Sequence, residues 1–495
     1  MVHLKMDFEE RIITRMQKQY IQKIDMELSP LGFGLMRLPM VNGRFTHDAY
    51  KMIFIAMEAG VNYYDTAYRY LNGHSEDFVH DALVKKYPRE TFYIADKLPV
   101  WECKNKDDME KIFQMQLEKL GTNYIDFYLL HALHKSRWHN IYNQGVLDFL
   151  EEKKKTGKIR KVGFSLHDNT KTLINIEKTY DWDFIQLQIN YYDWTVQHAD
   201  RSYEYLAKKG IPCIVMEPLG GGRLSKLPEK AEKLLKKVHP TATASSWGIR
   251  FTASLPNVAV TLSGMSTLDQ MQANISSFSP LVPISNDEQK ILNEVVQIIG
   301  SYNTIPCTAC EYCVNDCPKG VDIPQIFQRY NDSKMFDSII HFEDDYLGFI
   351  SDKSRGDACI NCGKCLQKCP QGIDIPKQLN DIHDMVIRNL FGLDEEGLKS
   401  IFDNKEEFLL ICFGAGQRGQ LLQEYLYKKK IQLNYYCDNS KQLWGEKING
   451  IPIIGTTELR EITKHKHVNM IITSNSYTEI KKQLESLNIP NLFIR

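Results

Sequence analysis

Eight short runs rich in β-formers alternate with amphipathic stretches over the first 280 or so residues. The strand candidates are Leu31–Arg37, Tyr63–Thr66, Phe92–Lys97, Ile125–His131, Lys161–Ser165, Phe184–Asn190, Cys213–Glu217 and Val258–Ser263. Helical periodicity fills the gaps. Between Asp107 and Leu120 it places Met109, Ile112, Phe113, Gln116, Leu117 and Leu120 on one face. Strands joined by helical crossovers pair in parallel, and eight such units predict a closed (β/α)8 barrel. The stretch Phe8–Ile24 precedes the first strand and is expected to be a helical extension, within residues 1–27.

In such barrels the chemistry sits at the C-terminal ends of the strands. Strand two ends in Asp65-Thr66-Ala67-Tyr68-Arg69-Tyr70, strand three in Asp96-Lys97 and strand four in Leu130-His131. An acid, a phenol, an ammonium and an imidazole thus converge from neighbouring strands. A tyrosine can protonate a developing alkoxide if a nearby ammonium lowers its pKa and a carboxylate holds the ammonium.

The runs G-V-N-Y-Y-D-T-A-Y-R-Y, A-D-K-L-P and D-F-Y-L-L-H, in that order, resemble the aldo-keto reductase family across residues 28–284. The resemblance implies that Tyr70 is the general acid/base, tuned by Lys97, which Asp65 supports, and that His131 orients a substrate carbonyl. It implies NADP or NAD, with the nicotinamide held at Ser165 and Gln188, and with Asn190 beside them. Pro218-Leu219-Gly220-Gly221-Gly222-Arg223 resembles the loop that covers the pyrophosphate, so Leu219, Gly221 and Arg223 become coenzyme candidates. Gly264, Ser266, Gln270 and Asn274 resemble the adenosine-phosphate segment. There are two departures. Met216 stands where many members place an aromatic ring against nicotinamide. Gly264 and Gln270 stand where NADP-preferring members carry cations for the 2′-phosphate, which leans the expectation toward NAD.

A second feature is duplicated. Cys307, Cys310, Cys313 and Cys317 are followed by Pro318; Cys359, Cys362, Cys365 and Cys369 are followed by Pro370. Each run is C-x2-C-x2-C-x3-C-P, the spacing that wraps three thiolates around one face of a [4Fe–4S] cubane. In two-cluster ferredoxins the fourth cysteine ligates the other cluster. The expected sets are Cys307, Cys310, Cys313 with Cys369, and Cys359, Cys362, Cys365 with Cys317. Zinc is the competing reading of C-x2-C pairs, but a fourfold run plus proline, given twice, fits zinc poorly. The near-repeat C-P-K-G-V-D-I-P and C-P-Q-G-I-D-I-P points to internal duplication. A mainly helical two-cluster ferredoxin-type domain is expected over 285–397, including helices at Ile323–Tyr330 and Met335–Phe342. Reductase barrel plus two-cluster module resembles the ferredoxin-containing branch of the family.

The tail, 404–495, is read as a small Rossmann-like α/β domain able to fold alone. A buried-strand run, Phe408–Phe413, leads into Gly414-Ala415-Gly416-Gln417-Arg418-Gly419 and a helix. A later run ends in Asp438. This is G-x-G-x-x-G in its proper context, suited to a second nucleotide through Gly414, Gly416, Gly419 and Asp438.

At 495 residues the chain needs two to four cores. A net charge of −1 provides no field for nucleic acid or anionic membrane, and no stretch approaches the ~18 apolar residues of a spanning helix. The four cysteines outside the runs form no disulfide framework, so a reducing cytoplasm is expected. The leading expectation is an iron–sulfur oxidoreductase interconverting a small carbonyl and its alcohol. Because nicotinamide moves two electrons and a cluster one, a flavoprotein or ferredoxin electron partner is expected with it. The alternative is an electron-transfer, redox-sensing or docking protein whose barrel has reduced catalysis.

Overall fold

The computed structural model describes residues 15–335, 342–343, 346–347, 350–391, 393, 408–474 and 476–494. Contacts divide the chain into two compact units. One comprises Met1–Cys310 with Cys369–Ile373, the other Glu311–Lys368 with Asp374–Arg495.

The first unit is built on the eight expected strands: β1 (Leu31–Gly34), β2 (Tyr63–Asp65), β3 (Tyr93–Leu98), β4 (Ile125–Leu133), β5 (Ile159–Leu166), β6 (Phe184–Gln188), β7 (Cys213–Met216) and β8 (Val258–Ser263). They close into a barrel in sequence order, with β8 pairing β1. All pairs are parallel, and the register aligns Gly34 with Asp65, Asp65 with Ala95 and Lys97 with Leu129. That register brings Asp65 and Lys97 to the same end of the barrel as His131. Tyr63, Phe127, Phe184, Ile214 and Val260 fill the interior, while a larger apolar layer separates strands from helices. Each such side chain contributes roughly 1.5–3 kcal/mol on burial, so the frame holding the mouth is rigid.

The N-terminal helix expected to run to Ile24 is not formed in the described residues. Gln19–Ile21 and Met26–Leu28 are antiparallel strands, joined through a turn with Asp25 at φ 50°. Ile24 and Leu28 are buried in the interior cluster, and the Gln19 amide donates to Ala259 O at 2.6 Å. Plugging the barrel's open floor stabilises more than the weak local helix preference does. Residues 1–14 lie outside the described residues.

The helix Asn286–Gly300 follows the barrel and opens with a capping box between Ser285 and Glu288. Glu288 also meets Arg250 at 2.8 Å and His239 at 2.7 Å. Burial pushes its carboxyl up, but the Ser285 amide, Arg250 and His239 outweigh that and bring it down to about 2. A depressed carboxylate stabilises the fold above its unfolded pKa near 4.5, and the contribution is lost as pH falls toward 2. Glu288→Gln is therefore expected to cost stability at pH 7, with the gap from wild type narrowing by pH 3. Urea unfolding at the two pH values measures it.

In the second unit, helices α1 (Ile323–Met335) and α2 (Ile375–Phe391) each follow a cysteine run. The two starts share one design. Asp322 accepts from the Gln325 amide and Asp374 from the Lys377 amide, and a proline, Pro324 or Pro376, sits in each first turn. Most of the helix expected over Met335–Phe342 falls outside the described residues.

The tail forms a mixed six-stranded sheet of β9 (Phe408–Phe413), β10 (Tyr435–Cys437), β11 (Lys447–Ile448), β12 (Ile451–Ile454), β13 (His467–Ile472) and β14 (Leu492–Ile494), in the order β11-β12-β10-β9-β13-β14. All pairs are parallel except the β11–β12 hairpin. The expectation that this part folds alone from about residue 404 needs correction. Ile387, Phe391 and Leu393 share one core with Leu410, Leu422, Tyr425 and Tyr436. Lys429 also pairs with Asp384 at 2.5 Å. Cutting the chain at 404 would strip that layer from the sheet.

Helix α3 (Gln417–Lys428) starts at the glycine-rich turn. A Cβ on Gly419 would lie 2.0 Å from Gly414 O, whereas Gly416 has open space around it. Gly419→Ala is expected to destabilise the tail by roughly 1–3 kcal/mol through forced backbone shifts, and Gly416→Ala to be near neutral. Thermal unfolding of the two variants against wild type tests the contrast.

Candidate active site and cluster sites

Lys97, at the end of β3, is fully buried and uses all three ammonium donors. Its Nζ donates to Asp65 Oδ1 at 2.5 Å, to Thr66 O at 2.8 Å and to Tyr70 Oη at 3.1 Å. The second Asp65 oxygen accepts from Gln186 at 3.2 Å. Tyr70 lies on a tight turn in which Leu71 and Asn72 both have positive φ. Its ring is 6.0 Å from that of His131, which is 5.1 Å from Trp101. His131 is aimed by a kink in β4. Ala132 takes φ 52°, the β4–β5 register shifts there, and the Ala132 amide donates to Ser165 Oγ at 2.7 Å. Such a bulge re-aims a side chain at a barrel rim.

The electrostatics correct one expectation. Lys97 was expected to lower the tyrosine pKa. Instead, burial raises Tyr70 well above its ordinary value, and Asp65, Glu217, Asp96 and Cys310 push the same way. Asp65 cancels much of the ammonium's field, so Tyr70 is held as a protonated donor. His131 is shifted well below its usual range by burial, then by Lys97, Arg137, His167 and Arg69. The imidazole is neutral at pH 7.

On the coenzyme side, Ser165, Gln188, Asn190, Met216, Leu219, Gly221 and Arg223 all stand at the barrel mouth or in the loops beyond it. The chain itself engages several of them. Gln188 donates to Asp193 at 2.7 Å and pairs with Gln371 through bonds of 3.3 and 2.7 Å. Asn190 caps the short helix Tyr191–Val196 and donates to Asp193 and Glu217 O. Met216 is half-buried at the edge of the interior cluster, and Leu219 packs on Gly248. Arg223 lies 4.7 Å over Tyr192 and 3.9 Å from Asp193, with its Nε buried and unpartnered. Glu217 Oε2 is likewise buried and unpartnered, and burial pushes that carboxyl up to about 7. At the far end, Gln270 accepts from the Ser266 amide at 2.8 Å, Asn274 donates to Ser263 at 2.8 Å, and the Arg37 side chain covers Gly264. Amide and hydroxyl groups at the nicotinamide end and an unpaired guanidinium N–H fit a dinucleotide chemically. The space over Gly221 is filled by Thr308.

The two cysteine loops repeat one backbone. Ala309 and Glu311 in the first, and Asn361 and Gly363 in the second, have positive φ at the same offsets; Gly320 and Gly372 do so after each fourth cysteine. Non-glycine residues in that region are uncommon, so two matched loops mark a shared requirement. In the second unit Cys317, Cys359, Cys362 and Cys365 line one cavity, closed by Val321 and Leu379. The Val321 amide donates to Cys317 Sγ at 3.4 Å. Cys317 of the first run thus lines the same cavity as three cysteines of the second. Among the described residues, no three His, Cys, Asp or Glu side chains are grouped to hold a single metal ion. Cys307, Cys310 and Cys369 belong to the first unit, Cys313 to the second, and Cys369 bears electrostatically on Cys307.

In the tail, Gly414 has φ 112°, and Asp438 accepts from the Ala415 amide at 2.9 Å and the Ser440 amide at 2.8 Å. Each carboxylate oxygen thus has one backbone donor and room for another.

Residues 30–297 match the family described as aldo/keto reductase. The chain belongs to the aldo/keto reductase family. Within this reductase, residues 306–373 match a 4Fe-4S dicluster domain and residues 408–494 a C2185-like N-terminal domain. An oxidoreductase of Bacillus subtilis is 24% identical, over 53% of this chain and 91% of its own. An NADH-specific methylglyoxal reductase of Escherichia coli is 24% identical, over 57% and 99%. A solved aldo-keto reductase from Bacillus halodurans, in its holo form, superposes with TM-score 0.49 at 25% identity, over 57% of this chain and 96% of that one. The reductase is an oxidoreductase with an iron–sulfur domain, and no described helix is long and apolar enough to cross a membrane.

Several residues of the reductase mouth escaped the sequence. Gln186 is a buried amide in the apolar run F-I-Q-L-Q, two positions before Gln188, and that period was a usable signal. Glu217, an acid just before Pro-Leu-Gly-Gly-Gly, was another. Arg37, Thr308 and Gln371 come from distant segments and left no local signal.

Proposed function

We propose that this protein is an iron–sulfur oxidoreductase that interconverts a small carbonyl and its alcohol at Tyr70, Lys97, Asp65 and His131. The observation that carries the reading is the Lys97 ammonium held between Asp65 and the Tyr70 hydroxyl. In reduction, neutral His131 hydrogen-bonds the carbonyl oxygen and fixes its orientation. Tyr70 passes its proton to that oxygen as negative charge develops there, and Lys97 stabilises the phenolate left behind. Asp65 and Gln186 keep the ammonium in place. Nicotinamide, when bound, supplies hydride at this site. Ser165 and Gln188 would hold its carboxamide, and Arg223 its pyrophosphate.

NADH is the favoured coenzyme, since Gln270 rather than a cation stands at the 2′-phosphate position and the E. coli relative is NADH-specific by name. The crossed cysteine sets would hold two [4Fe–4S] clusters that carry single electrons, with a flavoprotein or ferredoxin as partner. The tail would bind a second nucleotide at Gly414, Gly416, Gly419 and Asp438 as a Rossmann-type domain; its five parallel strands run in the order 3-2-1-4-5, counted along the chain. The four cysteines outside the runs, Cys103, Cys213, Cys412 and Cys437, are buried and form no disulfide framework, from which a reducing cytoplasm is proposed.

Anaerobic steady-state oxidation of NADH and NADPH against a panel of aldehydes and ketones, methylglyoxal included, tests the reading. Turnover that disappears in Tyr70→Phe supports it. No turnover with any carbonyl would favour the electron-transfer alternative.

A further inference from the structure

The segments that carry Cys307–Cys310 and Cys369–Ile373 belong to the same compact unit as the barrel, and they meet the barrel at the positions expected to hold a coenzyme. The Gly220-Gly221-Gly222 turn has positive φ throughout, the shape of a loop that lets a phosphate approach its backbone. At Gly221 that approach is taken. A Cβ there would lie 2.3 Å from Thr308 O, 2.7 Å from its carbonyl carbon and 2.8 Å from its Cα. Thr308 is fixed in place because its carbonyl also accepts from Arg37 at 2.8 Å. At the nicotinamide end, both ends of the Gln188 side-chain amide are engaged by Gln371, and its donor is shared with Asp193. A carboxamide would need those same atoms. One segment therefore fills the pyrophosphate face and the other satisfies the nicotinamide face.

We propose that these two segments form a self-supplied wall over the coenzyme groove, and that their present position and a bound nicotinamide dinucleotide exclude each other. The inference rests on the reading that the groove takes such a coenzyme. The bland alternative is that the contacts are loop packing beside an open groove. The Thr308 backbone decides against it, because it stands against Gly221 rather than beside it. The wall carries a cost for the ligand. Displacing the two neutral Gln188–Gln371 hydrogen bonds, each worth about fivefold in an equilibrium constant, weakens apparent affinity by roughly 25-fold, and loss of the charge-assisted Arg37–Thr308 bond adds to that. Since both segments bear proposed cluster ligands, coenzyme entry is tied to movement of the cluster loops.

The test uses the full chain with its clusters, prepared without oxygen. NADH and NADPH binding is followed by fluorescence in wild type and in Gln371→Ala, with iron content confirming that the clusters remain. Gln371 lies outside the proposed catalytic and coenzyme-holding set, and its removal should tighten binding by roughly 5–30-fold. A second measurement does not depend on that variant. Hydrogen exchange in wild-type peptides spanning 305–311 and 369–374 should quicken when coenzyme saturates. Coenzyme that binds equally to both proteins, with exchange in those peptides unchanged or slowed, overturns the proposal while leaving the carbonyl chemistry standing. If neither protein binds either coenzyme at millimolar concentration, the coenzyme reading falls, and the proposal with it.

Discussion

Tyr70→Phe is expected to lower kcat for carbonyl reduction by roughly 10²–10⁴-fold, with little change in coenzyme affinity or stability. The variant removes one hydroxyl from a half-buried ring and leaves the ammonium with Asp65 and the Thr66 carbonyl. The hydroxyl is needed when the alkoxide forms, so its loss belongs in kcat. Lys97→Met should cost similar activity but differ in a second readout. It strands Asp65, whose side chain is 4% exposed, without its cation. Breaking a buried pair from one side costs roughly 3–5 kcal/mol, so Lys97→Met should unfold earlier than Tyr70→Phe. The pH profile has a direction too. Burial and the surrounding acids hold Tyr70 above its ordinary pKa. The donor should stay protonated through the neutral and mildly alkaline range, with no loss of reduction rate from this group there. The reverse reaction, which needs the phenolate as base, should rise with pH across that range. Wild-type kcat in Tyr70→Phe on a good substrate would remove the tyrosine from the mechanism.

What was legible in the sequence was what local pattern controls. Strand periodicity and helical faces located all eight barrel strands, because each strand must bury apolar residues on a fixed period. The ends of those strands then gave Asp65, Tyr70, Lys97 and His131 as neighbours, since a parallel register fixes which residues share a rim. Long-range substitutes for local preference were not legible. The N-terminal stretch forms a floor hairpin because Ile24 and Leu28 fill an opening that exists only once the barrel has closed. The direction of the Tyr70 shift is set first by burial, then by Asp65, Glu217, Asp96 and Cys310, and tertiary packing decides both the burial and the approach of Glu217 and Cys310. The tail looked separable because its strand–helix alternation is complete in itself. Its core nonetheless takes Ile387 and Phe391 from a helix that begins before the boundary.

The second large effect concerns iron. Cys365→Ser is expected to take the iron content of an anaerobically reconstituted preparation from about eight to about four per chain, with a matching loss of acid-labile sulfide. The argument rests on one cavity. Cys317, Cys359, Cys362 and Cys365 all line it, although Cys317 comes from the other cysteine run, and three thiolates hold a cubane far less well than four. Burial pushes the Cys365 thiol up to about 11, with Cys359, Cys362 and Cys317 adding to the shift. A cluster's cationic iron would draw the proton from such a thiol, because the thiolate is the ligand. Cys317→Ser should therefore remove the same cluster as Cys365→Ser, and the double variant should lose no more iron than either single one. Cys103→Ser is the control. Its thiol is buried beside Pro99 and pushed up to about 12 by that burial, so it packs as an apolar group and should leave iron unchanged. If Cys317→Ser instead removes a different cluster from Cys365→Ser, so that the double variant is empty, the ligands are not crossed between the runs. If the wild type takes up one or two zinc ions and no iron under reconstitution, the cavity is a zinc site and the electron-carrying reading fails.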